Sequence, residues 1–157
     1  MAYSRFTALT ANYNTDFAHL TGLERMRHFE KHAHERFGIA KFLNYDLERV
    51  ETGDVMLRYK PDSEHLNLFV TVHGGVLASL LDTVMGCALM TMLDAGEQHT
   101  IIDLHTKFLR PVTLDSEPLR VFGHVDHRGR RQCTMNGKII TSDDKLCATG
   151  IATAMIL

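Results

Sequence analysis

The sequence lacks tryptophan and contains only three prolines and three cysteines. The cysteines are odd in number and show no C-x-x-C spacing, which argues against a disulfide framework. No positively charged start followed by an apolar segment occurs at Met1. We therefore expect a reduced, cytoplasmic protein.

An excess of charge of either sign is also missing, because the formal net charge of the 157 residues is −2. A chain without a basic excess is a poor general partner for nucleic acid or for acidic membranes. Repeats, linkers and low-complexity tracts are absent as well. The length fits one domain with a substantial core.

The longest apolar stretch, Phe69 to Leu93, contains a single formally charged side chain, Asp82. The glycine pair after His73 and the Leu, Met and Ala content beyond Val76 predict a buried central helix of roughly twenty residues. A membrane span of this length is the alternative. The central carboxylate, the glycine pair and the mean hydropathy of −0.11 favour a helix in a soluble core.

Small and polar residues share one face of this predicted helix, at Gly75, Ser79, Asp82 and Gly86. Free N–H groups at Gly74 and Gly75 would lie at the positive end of the helix dipole, which can stabilise an oxyanion. Asp82 would lie about 12 Å from Gly74 along the axis, so one carbonyl cannot touch both within one chain. Joint action requires a second, antiparallel copy and predicts a homodimer with composite sites.

Before this helix, residues 1–20 predict a loosely ordered arm or a short helix. Thr21 and Glu24 have the spacing of a capping box, and apolar residues at helical intervals predict a surface helix up to Gly38. His28 and His32 have a spacing that could hold a metal ion, and His34 lies nearby. Without a neighbouring carboxylate or cysteine ligand, we expect solvated histidines and no metal.

The pattern of most remaining segments predicts strands. Residues 39–50 and 55–60 predict a hairpin closed by Pro61, and four further strands follow the central helix. A strongly curved antiparallel sheet wrapped around one apolar helix accommodates this order.

The residues Asn67, His73-Gly74-Gly75, Asp82 and Asp103-Leu104, with Phe108-Leu109-Arg110-Pro111, resemble the hotdog-fold acyl-CoA thioesterases of the phenylacetate-degradation type. The resemblance covers residues 38–157. It implies an α+β hotdog fold, with a six-stranded curved sheet around one long helix in residues 39–157 and an extra N-terminal helix in residues 1–38.

The resemblance also implies hydrolysis of acyl-CoA without metal or other cofactor, by dimers or pairs of dimers with interface sites. Asp82 would be the nucleophile or the general base, and the Gly74 N–H would bind the thioester oxygen. His73 would polarise that carbonyl, and Asn67 would position water or the carboxylate. Relatives often carry Ser or Thr where this chain has Ile101, and Thr100 is the nearest substitute.

Each residue also has a structural interpretation. Asp82 could pair inside an interface, His73 could be a core histidine, and Asn67 could be a turn residue. Three arginines in the predicted turn between two strands could meet coenzyme A phosphates or form a solvated tip: Arg128, Arg130 and Arg131. The absence of G-x-S-x-G argues against serine hydrolase chemistry.

The sequence thus predicts an acyl-CoA thioesterase with Asp82 at its centre. A non-catalytic acyl-CoA sensor on the same fold is the first alternative. A hydratase or dehydratase, with His73 as acid and base on carbon, is the second. The preferred acyl group and the choice between dimer and tetramer stay open.

Overall fold

The computed structural model describes residues 16–33, 36–116 and 118–157. The predicted arm up to residue 15, and His34, lie outside them. The described helices are α1 (Gly22–Lys31), α2 (Gly38–Leu43) and α3 (Gly74–Met90), with a 3₁₀ turn at Ser63–His65. The described strands are β1 (Asp46–Glu51), β2 (Asp54–Tyr59), β3 (His99–Phe108), β4 (Leu119–Arg128), β5 (Gln132–Ile140) and β6 (Leu146–Ile156).

All six strands form one antiparallel sheet in the order β1-β2-β4-β5-β6-β3. The register shifts once in four of the five strand pairs. Such irregularities bend a strand and increase its twist, which curves the sheet. The predicted curved six-stranded sheet around one long helix is confirmed, and β3 forms one of its edges.

Helix α3 packs on this sheet through one apolar face. Its buried residues are Leu77, Leu80, Leu81, Val84, Met85, Ala88 and Leu89. The closest approach is at Gly123 of β4, where a Cβ atom would lie 2.5 Å from the carbonyl oxygen of Val84. The helix backbone therefore lies directly against the strand, and only glycine fits beneath it.

Two expectations about α3 need correction. The helix has 17 residues and ends at Met90, because Thr91 closes it before the turn near Asp94. The helix is also not buried all round, since the sheet covers one side and leaves Asp82 and Gly75 exposed. Within the described residues, no helix combines the length and apolar character needed to cross a membrane.

The segment before β1 also differs from the prediction. Residues 38–43 form helix α2 instead of the first part of a strand. Leu43 at its end is fully buried, and Asn44 ends the helix in the left-handed region at φ 47°. Tertiary packing of Leu43 thus overrides the strand preference of Ile39 and Phe42. The hairpin itself is confirmed, as β1 and β2.

Helix α1 begins with the predicted capping box, in which Thr21 and Glu24 exchange side-chain to backbone hydrogen bonds. It ends at Lys31 and does not continue to Gly38. The N–H of Gly22 donates to the carbonyl of Leu93 at 2.9 Å, and Met26 is buried. Helix α1 therefore packs against the end of α3, and a boundary after residue 38 stays a prediction.

Candidate active site

The loop that leads into α3 is anchored on a buried histidine. The hydroxyl of Tyr59 lies 2.7 Å from Nδ1 of His65, and Nε2 lies 3.0 Å from the carbonyl oxygen of Phe42. The backbone carbonyl of His65 in turn accepts the N–H of His73 at 2.8 Å. With both ring nitrogens bonded, His65 fixes the chain immediately before the helix begins.

His73 is the N-cap of α3. Its Nδ1 accepts the backbone N–H of Gly75 at 2.8 Å. In a neutral imidazole, an accepting Nδ1 leaves the ring proton on Nε2. The side chain is exposed and lines a cleft of about 570 Å³, so its remaining N–H is available to a ligand. Sequence reasoning missed this capping role because histidine is not a usual N-cap residue.

The backbone N–H of Gly74, the first residue of α3, has no hydrogen-bond partner within the described part of the chain. The expectation of two free N–H groups is therefore wrong for Gly75, whose N–H is bonded to His73. The Gly74 N–H lies at the positive end of the helix dipole. The ring of Phe108 lies beside it, 3.2 Å from where a Cβ atom on Gly74 would be.

Asn67 lines the same cleft, but its side chain bonds within its own loop. Its Oδ1 accepts the N–H of Phe69 at 2.8 Å and of Thr71 at 3.3 Å, and its Nδ2 donates to the Thr71 hydroxyl at 2.9 Å. These contacts are those of a turn residue. The loop holds Val70 at φ 60°, a strained conformation for a β-branched residue. A catalytic role for Asn67 stays a prediction.

Asp82 lies two turns further along α3, on the exposed face of the helix. No hydrogen bond or ion pair joins its carboxylate to any described residue. Partial burial by surrounding protein atoms raises the pKa of its carboxyl above the ordinary value of 3.8. A carboxylate without a partner and with a raised pKa is suited to accept a proton near neutral pH.

A second cleft, of about 400 Å³, adjoins Asp82 and is lined by residues of α3 and β3, including Thr100. The side chains of His99 and Ile101 face Gly86 of α3. Thr100 stands between them and is exposed, and strand alternation directs its side chain away from Gly86. Its predicted assistance to water stays a prediction, and His99 is the polar side chain that sequence reasoning missed.

Cys87 is the other reactive side-chain type in this cleft. Burial raises the pKa of its thiol to about 12. A thiol with this pKa is almost entirely protonated at neutral pH and is a poor nucleophile. Asp82 is therefore the better candidate for chemistry in this cleft.

The structure brings the predicted residues together in two groups. Asn67, His73 and Gly74 line the cleft at the start of α3, whereas Asp82 and Thr100 line the other. Within one chain the two groups do not share a cleft.

The arginines of the β4–β5 hairpin lie in neither cleft. Arg128 forms an ion pair with Glu97 at 2.7 Å. Arg130 and Arg131 are exposed and line a separate depression of about 620 Å³. In the described ranges, no three His, Cys, Asp or Glu side chains come together as metal ligands would.

A curved six-stranded antiparallel sheet that packs on one long central helix is the architecture of the hotdog fold. The chain belongs to the Thioesterase superfamily, whose family model matches residues 69–148, just over half of the sequence.

Individual relatives agree with this membership. Human acyl-coenzyme A thioesterase 13 is 30% identical over 78 residues, which are 50% of this chain and 54% of the relative. A candidate esterase of Saccharolobus solfataricus is 29% identical over 76% of this chain and 83% of its own length.

Solved structures show the same fold. The PaaI protein of the Escherichia coli phenylacetic acid degradation operon superposes with a TM-score of 0.74 at 24% identity, covering 86% of this chain and 96% of its own. A hypothetical thioesterase of Streptococcus pneumoniae, crystallised with coenzyme A, has a TM-score of 0.70 at 25% identity. That match covers 76% of this chain and 91% of the pneumococcal chain.

Proposed function

We propose that the protein hydrolyses acyl-CoA thioesters to the free acid and coenzyme A, at sites that two copies of the chain complete together. The observation that carries the proposal is the outer face of α3. This face presents the N–H of Gly74 and the carboxylate of Asp82, neither of which has a partner among the residues that the structure describes.

The two groups are too far apart to act on one carbonyl from one helix, because eight residues span about 12 Å. An antiparallel α3 from a second copy brings the Asp82 of each chain to the helix start of the other. Edge strand β3 supports this pairing, since among the described strands its ten residues pair with β6 alone. Phe108 and Leu109 at its end are 51% and 57% exposed, and a second copy would cover them.

In the proposed reaction, the thioester oxygen accepts hydrogen bonds from the Gly74 N–H and from Nε2–H of His73. Asp82 of the partner copy takes a proton from water as the water oxygen attacks the carbonyl carbon. The tetrahedral intermediate then collapses, the C–S bond breaks, and the proton passes to the departing thiolate. Direct attack by the carboxylate, through an anhydride that water then cleaves, is the other route open to Asp82.

The relatives support this class of substrate. One is named an acyl-coenzyme A thioesterase, and another was crystallised with coenzyme A. On this protein, Arg130 and Arg131 are exposed cations that could meet the phosphates of coenzyme A. Arg128 is less available because it is paired with Glu97.

The test is release of free thiol from a panel of aromatic and aliphatic acyl-CoA esters by the wild type and by Asp82→Asn. The substitution keeps the shape of the side chain and removes the base. We expect kcat to fall by about 10³-fold, within the range for loss of general base catalysis. Asp126→Asn is the matched control, because Asp126 is an exposed carboxylate on β4. It should leave turnover unchanged.

Two outcomes would redirect the proposal. A melting temperature raised by acyl-CoA without any thiol release over hours would identify a binding or sensor protein. Loss of enoyl-CoA absorbance without thiol release would identify a hydratase, with His73 as its acid and base. Equal turnover by Asp82→Asn and the wild type would contradict the role of the carboxylate.

A further inference from the structure

His65 is a polar side chain inside the core, with only 2% of its surface exposed. It ends the 3₁₀ turn at Ser63–His65, between strand β2 and the loop that leads into α3. It is neither the proposed base nor a proposed donor to the thioester oxygen. A buried imidazole is costly unless its polar atoms are paired, so its role depends on what its hydrogen bonds connect.

The two hydrogen bonds of this imidazole specify its tautomer. Nε2 lies 3.0 Å from the carbonyl oxygen of Phe42, which can only accept, so Nε2 carries a proton. In the neutral ring Nδ1 is then an acceptor, and the hydroxyl of Tyr59, 2.7 Å away, donates to it. Burial raises the pKa of this hydroxyl, so it keeps its proton at neutral pH. Helix α2 and strand β2 therefore hold the two ring nitrogens.

The backbone of His65 connects this arrangement to the start of α3. Its carbonyl oxygen accepts the N–H of His73 at 2.8 Å. His73 directly precedes Gly74, and Nδ1 of His73 accepts the N–H of Gly75 at 2.8 Å. The two proposed donors to the thioester oxygen are Nε2–H of His73 and the N–H of Gly74. The positions of both therefore depend on His73, and through it on His65.

The rest of this loop has few contacts with the core. Of residues 62–73, all of which the structure describes, the two that are buried are His65 and Val72. The N–H of Val72 donates to the carbonyl of Val112 at 2.8 Å, which holds the backbone at the base of the loop. The loop tip is exposed, with Leu68 and Phe69 at 99% and 86%. Side-chain hydrogen bonds from the core thus reach this loop at His65.

We propose that His65 is a positioning residue for the reaction, which holds the donors of His73 and Gly74 at the place of the thioester oxygen. The inference rests on the proposed function, because it takes those two groups as the oxyanion donors. A displacement of about 1 Å at a reacting centre can lower the rate by 10²-fold. It need not weaken the binding of the remote parts of the substrate, so kcat should change more than KM.

The experiment removes the bond between Tyr59 and His65 from each side. Tyr59→Phe deletes the hydroxyl alone, whereas His65→Gln keeps a donor for the Phe42 carbonyl and loses the acceptor at Nδ1. We expect kcat for thiol release to fall by about tenfold in each. The dissociation constant of a non-hydrolysable CoA thioether should stay within about twofold of wild type. Because both variants lose the same bond, the double variant should fall no further than the less active single variant.

Thr91→Val is the matched control at the opposite end of α3. The buried hydroxyl of Thr91 donates to the Ala88 carbonyl at 2.6 Å and accepts the Gly53 N–H at 2.7 Å. Its loss should lower the free energy of unfolding at least as much as Tyr59→Phe does, and leave kcat unchanged. Wild-type kcat in both Tyr59→Phe and His65→Gln would overturn the proposal. Losses that multiply in the double variant, or an equal loss of kcat in Thr91→Val, would also overturn it.

Amide hydrogen exchange separates this inference from the proposed function. The Gly75 N–H, which is bonded to His73, should exchange about tenfold faster in Tyr59→Phe and at the wild-type rate in Thr91→Val. If no ester is hydrolysed but exchange changes in this way, the proposed function fails and the positioning of the helix start by His65 stands. If esters are hydrolysed and neither kcat nor exchange changes in Tyr59→Phe and His65→Gln, the role of His65 fails alone.

Discussion

The two faces of α3 differ in what they contribute. The inner face consists of apolar side chains packed on the sheet, and its backbone touches β4 at Gly123. The outer face carries the Gly74 N–H and the Asp82 carboxylate, neither of which has a partner in the described part of the chain. The inner face holds the fold together, whereas the outer face exposes groups that a folded chain would otherwise pair. Substitutions on the outer face should therefore change catalytic activity, whereas substitutions on the inner face should change the free energy of unfolding.

Loss of the Gly74 N–H on the outer face should have one of the largest effects on turnover. Gly74→Pro removes the donor, and proline is accepted at the first helical position. His73 has φ −60° and ψ 135°, which a following proline tolerates. We expect kcat to fall by about 10²–10³-fold, as for loss of an oxyanion donor. The measurement is thiol release under saturating substrate.

Gly74→Ala is the control for that substitution. It keeps the N–H and adds a Cβ atom against the ring of Phe108, whose exposed side chain can shift by a few tenths of an ångström. We expect much of the activity to remain. Equal losses in both variants would attribute the effect to crowding and not to the hydrogen bond.

On the inner face, Gly123→Ala should act on stability. Its Cβ atom would lie 2.5 Å from the carbonyl oxygen of Val84 and would push α3 off the sheet. We expect the free energy of unfolding to fall by about 3 kcal/mol, at the upper end of typical overpacking costs. Urea unfolding measures it. Gly150→Ala meets only side-chain atoms at 3.4 Å or more and should cost much less.

The pH dependence should sharpen the assignment of Asp82. The carboxylate must be ionised to act, so kcat/KM should fall as the pH decreases through its pKa. Because partial burial raises that pKa, the acid limb should lie above 3.8, the ordinary value of an aspartate. A pH–rate profile measures it. In Asp82→Asn the residual rate should lack this limb, and a limb that persists would belong to another group.

The smallest effect is expected outside both faces, in the loop before α3. Val70 has φ 60° and is 65% exposed. Its side chain therefore makes few packing contacts that could offset the energy cost of the left-handed backbone. Val70→Gly should raise the free energy of unfolding by about 1 kcal/mol. Thermal unfolding measures the gain. Val70→Ala retains a Cβ atom and should gain less, and a loss of stability in Val70→Gly would show that the side chain is packed.

Much of the fold could be predicted from the sequence. The apolar run with one carboxylate predicted α3, and alternation with turn residues predicted the hairpin and the four later strands. Helix α2 was missed because Ile39 and Phe42 favour a strand, and the burial of Leu43 depends on tertiary packing. The exposed outer face of α3 was missed because composition indicates how apolar a helix is. It does not indicate how much of the helix surface the sheet of the same chain covers.

The candidate site was predictable in its residue types but not in its contacts. The spacing of His73, Gly74 and Asp82 indicated two separate groups, and the structure separates them into two clefts. The capping bond of His73, the bonding of Asn67 within its loop and the position of His99 opposite Gly86 depend on side-chain directions. These directions follow from the assembled loop and from strand register, which a single sequence does not specify.

The most direct measurement mixes two inactive variants, Asp82→Asn and Gly74→Pro, under conditions that exchange subunits. Each mixed dimer would hold one intact site, formed by Gly74 of one copy and Asp82 of the other. Equal mixing should restore about a quarter of wild-type activity, because half of the dimers are mixed and each has one working site. Activity that stays at the level of the separate variants, while differently tagged copies are recovered together, would contradict a site shared between two chains.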